Sequence, residues 1–188
     1  IKMNKNNVLT IIAAAGIGER FGSKTPKQYA IVNGNTIIER AVKPFIDSEH
    51  VSEIIIAISK NDNYIQNQNF YNSRKIKYVT GGSSRQESIS NALNAAEKEY
   101  KYVLTHDAAR PNITEHDITN LYLDITKSNA SCSFLYTPVY DSIKETSPSD
   151  ITVDKNKFYL VQTPQISNFN HLKSSLKECM DENINCPD

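Results

Sequence analysis

The sequence predicts an α/β protein: a layered, mostly parallel sheet with helices on both faces. Short runs of apolar and β-branched residues, typical of strands buried on both faces, alternate with amphipathic segments that begin at helix-capping signals. Several of these runs are followed directly by glycines or charged residues, as expected at the edge where α/β sheets bind ligands. Strands that alternate with helices require right-handed crossovers.

The individual elements follow from local patterns. The predicted strands span residues 8–13, 53–59, 75–80, 101–105, 130–136 and 158–162. Three helices are predicted to begin at Ser/Thr-x-x-Asp/Glu spacings, and the four predicted helices span residues 36–45, 84–99, 114–127 and 168–181. The polar stretch 61–72 is expected to be an irregular helix or loop. We therefore predict one Rossmann-like domain over residues 1–188.

Composition excludes several classes of function. The 188 residues carry a formal net charge of +0, so the chain lacks the basic excess of most nucleic-acid-binding proteins. Its longest apolar runs, such as residues 54–58, are far too short to span a membrane. Three cysteines without a Cys-x-x-Cys pair argue against a disulfide framework, and four scattered histidines argue against a zinc site. These features favour a cytoplasmic protein without a membrane or nucleic-acid partner.

The loop after the first strand is the main candidate site. Glycine accepts unusual backbone angles and allows backbone N–H groups to approach an anion closely. Two cations, Arg20 and Lys27, follow the glycines and would add positive charge. The P-loop and the dinucleotide-binding fingerprint both fail, because Phe21 and Ser23 stand where glycine would be needed. The pattern indicates a polyphosphate site, with an ordinary strand-to-helix turn as the alternative.

Residues 13–20, together with Pro26, Lys27, Gln28 and Tyr29, resemble the N-terminal signature of nucleotidyltransferases that activate sugar or polyol phosphates. They are most similar to the 2-C-methyl-D-erythritol 4-phosphate cytidylyltransferase family of the non-mevalonate isoprenoid pathway. That family joins CTP to its acceptor, giving 4-diphosphocytidyl-2-C-methyl-D-erythritol and pyrophosphate. The resemblance implies Mg²⁺ or another divalent cation, held mainly by the CTP phosphates. It implies catalytic roles for Arg20 and Lys27.

Two further motifs carry the resemblance. The segment 81–88 resembles the family's base-recognition motif Gly-Gly-x-x-Arg-x-x-Ser, and residues 106–111, His-Asp-Ala-Ala-Arg-Pro, match the family's form. The Asp107 carboxylate is expected to meet ribose hydroxyls or the metal–phosphate cluster, and Arg110 the acceptor phosphate. The implied CTP-binding residues are Ala14, Ala15, Gly16, Gly18, Gly82, Ser83, Ser88, Asp107 and Ala108.

The rest of the acceptor site is implied by two segments later in the chain. Residues 139–157 correspond to the family's projecting β-arm, which is exchanged in a homodimer and would bring Ser142 and Lys155 to the acceptor. Thr163, in the motif Gln-Thr-Pro-Gln, would donate to the acceptor phosphate. The sequence departs from the family pattern at Ser83, Ser142 and Lys155. Family members usually continue past the position of Asp188, so the domain is expected to lack its C-terminal end here.

Two other functions remain open on the sequence. A ribitol 5-phosphate cytidylyltransferase would share most of these motifs, although it commonly has Val where Ala109 stands. A non-catalytic CTP-binding relative would bind the nucleotide without releasing pyrophosphate. In every case, the loop at Gly16 and the segments 81–82, 106–111, 138–142 and 163–165 are expected to follow strands and to converge on one edge of the sheet.

Overall fold

The computed structural model describes residues 7–16, 22, 25–146 and 150–186. The strands are β1 (Val8–Ala14), β2 (Ile31–Val32), β3 (Asn35–Thr36), β4 (Val51–Ile58), β5 (Ile76–Thr80), β6 (Tyr102–Asp107), β7 (Cys132–Pro138), β8 (Ile143–Lys144), β9 (Thr152–Val153) and β10 (Tyr159–Asn168). The helices are α1 (Ile37–Asp47), α2 (Arg85–Asn94), α3 (Glu115–Lys127) and α4 (Phe169–Asp181).

The main sheet contains six strands in the order β5-β4-β1-β6-β10-β7. Neighbours from β5 to β6 are parallel, whereas β10 runs antiparallel to both β6 and β7. Strand β7 therefore points in the same direction as β6. The prediction of a mostly parallel α/β sheet is confirmed, with one antiparallel strand inserted near its edge.

Helices cover both faces of the sheet, as predicted. Because side chains alternate along a strand, Ile12 of β1 belongs to one core cluster and Ile11 to the other. The Ile12 cluster includes buried side chains of α1 and α3, and the Ile11 cluster includes those of α2 and α4. Each face of the sheet is thus covered by one pair of helices.

Local capping signals explain where these helices begin. Thr36 and Thr114 each form a full capping box, with Glu39 and Asp117 respectively. Ser84 accepts the backbone N–H of Glu87, but the Glu87 carboxylate binds Ser83 instead of closing the box on Ser84. The predicted starts of these three helices are correct to within one residue.

The ends of α2 and β10 differ most from the prediction. Helix α2 ends at Asn94 rather than near residue 99, because the chain must turn to bury Tyr100, whose hydroxyl donates to Glu53. Strand β10 continues through Pro164 to Asn168 rather than ending at residue 162. Its pairing with β7 is irregular between Gln162 and Gln165, and such an irregularity accommodates a proline that cannot donate a hydrogen bond.

Two small antiparallel pairs lie outside the main sheet. Strands β2 and β3 form a hairpin before α1, and β8 pairs with β9 within the stretch predicted to form the arm. Within the part of the chain that the structure describes, no helix combines the length and apolar character needed to cross a bilayer.

Candidate active site

Two adjoining cavities lie at the carboxyl edge of the parallel strands. The first, here called the β1 cavity, has a volume of about 620 Å³ and is lined by residues after β1, before and at the start of α2, and at the end of β6. The second, here called the β10 cavity, has a volume of about 580 Å³ and is lined by residues after β6 and residues of β7 and β10. Ala109 lines both cavities, so ligands in the two would lie side by side.

The β1 cavity brings together most of the predicted CTP-binding residues. Its lining includes Ala14, Ala15, Gly16, Lys27, Gly82, Ser83, Ser88, Asp107 and Ala108. Arg20 and Gly18 lie in the stretch 17–21, outside the described residues, so their predicted roles stay predictions. Convergence of the segments after β1, β5 and β6 is observed.

Gln28 holds the backbone of the loop after β1, a role that sequence reasoning missed. It is buried in a single 3-10 turn, and its side-chain amide donates to the carbonyls of Ala14 (2.9 Å) and Gly16 (3.0 Å). The Pro-Lys-Gln motif was the available signal. Because Gln28 donates to both carbonyls, the backbone from Ala14 to Gly16 is held in place before any ligand binds.

The glycines around this cavity serve different purposes. Gly16 has no positive φ, and a Cβ added there would meet no atom of the described residues within 4 Å. A Cβ on Gly81 would lie 2.5 Å from the Cβ of Ala15, and one on Gly82 would collide with Glu87. Gly81 is therefore needed for close packing of the two loops, whereas Gly16 leaves open space that a ligand could fill.

The hydroxyl groups of the 81–88 segment are already engaged within it. The Ser88 hydroxyl donates to the Ser84 carbonyl (2.8 Å) and accepts the Gly82 N–H (3.0 Å). The Ser83 N–H and hydroxyl both donate to the Glu87 carboxylate, whose pKa these two bonds lower. With its proton committed, Ser88 offers a ligand only a lone pair.

Asp107 lies between two arginines where the cavities meet. Its Oδ1 accepts Arg85 Nε at 2.9 Å and its Oδ2 accepts Arg110 Nε at 2.9 Å. Burial alone would raise the pKa of the Asp107 carboxyl, but the charges and hydrogen bonds of Arg85 and Arg110 leave that pKa below its usual value. Asp107 is thus held ionised. Arg110 also donates to the Gln162 side chain at 2.5 Å.

Beneath Arg110, a buried histidine links β6 to β10. Burial lowers the pKa of His106 to about 4, so the ring is neutral at physiological pH. Its Nε2 must carry the proton, because it contacts the Arg110 carbonyl at 3.0 Å and a carbonyl only accepts. Nδ1 then accepts the hydroxyl of Thr163 at 2.9 Å, while the Asp107 N–H donates to that hydroxyl oxygen at 3.4 Å.

Residues 163–165 were predicted to follow a strand. Residues 163–165 lie inside β10, so that prediction is wrong. Because β10 runs antiparallel to β6, with Gln165 opposite Thr105, Thr163 still reaches the ligand edge beside Asp107. It lines the β10 cavity but is buried, and its proton is committed to His106.

Ser142 and Lys155 line neither cavity of the single chain. Lys155 donates to the carbonyl of Tyr140 (2.5 Å) and lines a separate cavity of about 610 Å³ with aromatic residues of β7 and β10. The predicted roles of Ser142 and Lys155 at the acceptor stay predictions.

The protein residues themselves provide little for a metal ion. Within the described ranges, no group of three or more His, Cys, Asp or Glu side chains could hold one. Asp107 is the carboxylate that lines the β1 cavity, and both its oxygens accept from guanidinium groups. A divalent cation in this cavity would depend mainly on oxygens that a ligand supplies.

Together, the sheet, the Gly16 loop and the cavity pair define an enzyme of the nucleotidyltransferase class. The sequence model of the 2-C-methyl-D-erythritol 4-phosphate cytidylyltransferase family matches residues 8–188. The chain belongs to that family.

Named relatives agree with this assignment. The enzyme of that name from Wigglesworthia glossinidia brevipalpis is 37% identical over 177 residues, covering 93% of this chain and 76% of its own. The one from Haemophilus ducreyi is 37% identical over 188 residues, covering 99% and 81%.

Solved structures show the same fold. The crystal structure of the Francisella tularensis cytidylyltransferase superimposes with a TM-score of 0.78 at 33% identity, covering 95% of this chain and 80% of its own. The 4-diphosphocytidyl-2C-methyl-D-erythritol synthase of Anaerococcus prevotii gives 0.84 at 23% identity, covering 98% and 80%.

Proposed function

We propose that this protein transfers CMP from CTP to 2-C-methyl-D-erythritol 4-phosphate, giving 4-diphosphocytidyl-2-C-methyl-D-erythritol and pyrophosphate. Two relatives of that name share 37% of their aligned residues with the chain. The structural observation that carries the proposal is the pair of adjoining cavities, with Asp107 and its two arginines at their junction. CTP would occupy the β1 cavity and the acceptor the β10 cavity.

The reaction is a displacement at phosphorus. An oxygen of the acceptor's phosphate forms a bond to the α-phosphorus of CTP, and the bond between that phosphorus and the bridging oxygen breaks, so that pyrophosphate leaves with the electron pair. A phosphate monoester has a second pKa near 6, so its oxygen is already largely ionised at neutral pH. No general base is required, and His106, with both ring nitrogens engaged in the interior, is not placed to act as one.

The enzyme's task is therefore electrostatic. Lys27 lines the β1 cavity and Arg110 the β10 cavity, where each would offset the charge of one approaching anion. Arg20, predicted to act with Lys27, would add a second cation to the nucleotide side. Holding both phosphates beside Ala109 would supply the remaining advantage through proximity and orientation.

Magnesium enters this proposal as part of the nucleotide. Because the described residues form no cluster for a metal of their own, Mg²⁺ would arrive bound to the CTP phosphates. It would lower the negative charge on the triphosphate. Activity should therefore disappear when a chelator is added and return when Mg²⁺ is added in excess.

The arm supports a proposal of a homodimer. From β7 to the start of β10 the chain exposes several large apolar side chains: Tyr136, Tyr140, Ile151, Phe158, Tyr159 and Leu160. Tyr136, Phe158 and Tyr159 line one cavity together, and exposed apolar surface of this kind is typical of a protein interface. Ser142 and Lys155, which line neither cavity of their own chain, would then serve the acceptor site of the partner. The cytoplasmic location also stays a prediction.

Pyrophosphate release tests the proposed function. Purified protein with Mg²⁺ is mixed with one of four nucleoside triphosphates and one of two acceptors, 2-C-methyl-D-erythritol 4-phosphate or ribitol 5-phosphate. Every combination is measured. We expect release only with CTP and the erythritol phosphate. If pyrophosphate is released only with ribitol 5-phosphate, the acceptor is ribitol 5-phosphate. If CTP binds but no combination releases pyrophosphate, the protein is a non-catalytic CTP-binding relative.

A further inference from the structure

Arg85 occupies an unfavourable position for a purely structural arginine. It is the first residue of α2, directly after the cap Ser84. The N-terminal end of a helix carries partial positive charge, so a cation there is repelled and an acidic residue is preferred. Neither helix formation nor capping therefore explains an arginine at this position.

The guanidinium of Arg85 instead reaches Asp107. Strand order places β5, which precedes α2, three positions from β6, yet α2 packs over β1 and β4 and so brings its first turn near the end of β6. Arg85 Nε donates to Asp107 Oδ1, and both side chains are largely buried, with exposed fractions of 22% and 25%. This ion pair joins the predicted base-recognition segment to the carboxylate at the cavity junction.

A second feature separates Arg85 from an ordinary structural ion pair. Its Nη2 is buried and has no hydrogen-bond partner among the residues described. A buried donor without a hydrogen-bond partner costs free energy. At the protein surface, water would have bonded to the same Nη2. Arg85 lines the β1 cavity, so the cost arises at the ligand site.

The two arginines also restrict what Asp107 can bind. Each carboxylate oxygen already accepts one guanidinium bond and keeps room for one more donor. A hydroxyl can fill that place, whereas a divalent cation there would face two guanidinium groups at close range. The arrangement thus favours a neutral donor, such as a ribose hydroxyl, over a metal ion.

We propose that Arg85 is a positioning residue that aims the Asp107 carboxylate at a ribose hydroxyl of the bound nucleotide. This inference rests on the proposed use of the β1 cavity by CTP. It goes beyond that function by giving the base-recognition helix a direct part in sugar recognition. Arg85 holds one carboxylate oxygen, and Arg110 holds the other from the acceptor side.

The test is a double-mutant cycle read by nucleotide binding. Calorimetry with Mg²⁺ measures the Kd of CTP, 2′-deoxy-CTP and 3′-deoxy-CTP for the wild type, Arg85→Gln, Asp107→Asn and the double variant. We expect the wild type to bind one deoxy analogue about tenfold more weakly than CTP. Arg85→Gln should remove most of that discrimination by weakening CTP itself, and adding Asp107→Asn should then have little further effect.

Arg74→Gln, at an exposed arginine outside both cavities, is the matched control and should bind all three nucleotides like the wild type. Circular dichroism checks that each variant is folded. The inference would be overturned if Arg85→Gln raised the Kd of CTP and of both analogues equally, or if the effects of the two substitutions were additive. It would also be overturned if the wild type bound CTP and both deoxy analogues with the same Kd. Since binding is measured without turnover, failure of pyrophosphate release would refute only the proposed reaction.

Discussion

Lys27 and Gln28 are adjacent residues with different surroundings at the β1 cavity. It is exposed, lies in the same 3-10 turn as the buried Gln28, and lines the β1 cavity. Gln28 fixes the loop from below through two carbonyls. The turn thus buries one side chain against the backbone after β1 and exposes its neighbour at the β1 cavity.

Replacing Lys27 by Ala should lower kcat far more than CTP affinity. The negative charge that develops around the α-phosphorus would lose a fixed cation, and loss of one such group typically costs about 100-fold or more in turnover. Steady-state kinetics and CTP calorimetry measure the two effects separately. Lys177→Ala, at an exposed position on α4, serves as control. Equal losses in kcat and CTP affinity would argue against a role in the transition state.

His106 makes a prediction about stability. Burial lowers its pKa to about 4, whereas in the unfolded chain the pKa is near 6.5. Between about pH 6.5 and 4, His106 binds a proton in the unfolded state but not in the native state. The free energy of unfolding therefore falls by about 3 kcal/mol as pH decreases through this range. The lowered carboxyl pKa values of Glu39 and Asp107 act at still lower pH.

Urea denaturation at several pH values measures this loss. His106→Asn should be less stable at pH 7 because it disturbs the contacts with Thr163 and Arg110, but its stability should change less between pH 6.5 and 4. His171→Asn, at an exposed site on α4, should keep the wild-type slope. An unchanged slope in the His106 variant would show that another group is responsible.

At the scale of elements, the loops after β1 and β5 form one unit. Gly81 packs so closely against Ala15 that an added Cβ would lie 2.5 Å from that side chain. Ser88 ties Gly82 to the first turn of α2. Because β4 lies between β1 and β5, this contact passes over the end of β4, and both segments line the β1 cavity.

Two glycine variants should therefore separate stability from binding. Gly81→Ala forces the two loops apart and should lower Tm by several degrees, since overpacking of a close contact costs about 1–3 kcal/mol. The Cβ of Gly16→Ala would meet no atom of the described residues within 4 Å, so this variant should leave Tm nearly unchanged while weakening CTP binding. Thermal unfolding and calorimetry compare the two. A Gly16 variant that binds CTP normally would place the triphosphate elsewhere.

At the scale of the whole molecule, the predicted site residues lie in two separate places, the two cavities and the arm. Lys27, Asp107 and Arg110 line the two cavities, whereas Ser142 and Lys155 lie on the arm outside them. The exposed apolar residues Tyr140 and Ile151 on the same arm suit an interface. A symmetric dimer would return the arm residues to an acceptor site.

Subunit mixing tests this arrangement. Lys27→Ala and Lys155→Ala are expected to be nearly inactive alone. If Lys155 serves the partner's site, half of the dimers formed on remixing would contain both variants, each with one intact site, and about one quarter of wild-type activity would return. Sedimentation equilibrium confirms the dimer. If each site takes both lysines from one chain, mixing will restore nothing.

The sequence by itself determined the order of elements, most helix starts and the candidate residues of the β1 cavity. These features are local: capping boxes at Thr36 and Thr114, apolar strand runs and short motifs each depend on neighbouring residues. The structure confirmed the starts of α1, α2 and α3 to within one residue.

Tertiary structure alone decided how these pieces face one another. The antiparallel course of β10, the burial of His106 against Thr163 and the pairing of Arg85 with Asp107 all join segments that are at least 20 residues apart. Such contacts depend on strand order and helix packing, which local propensity does not encode. The charges that surround Asp107 follow from that packing.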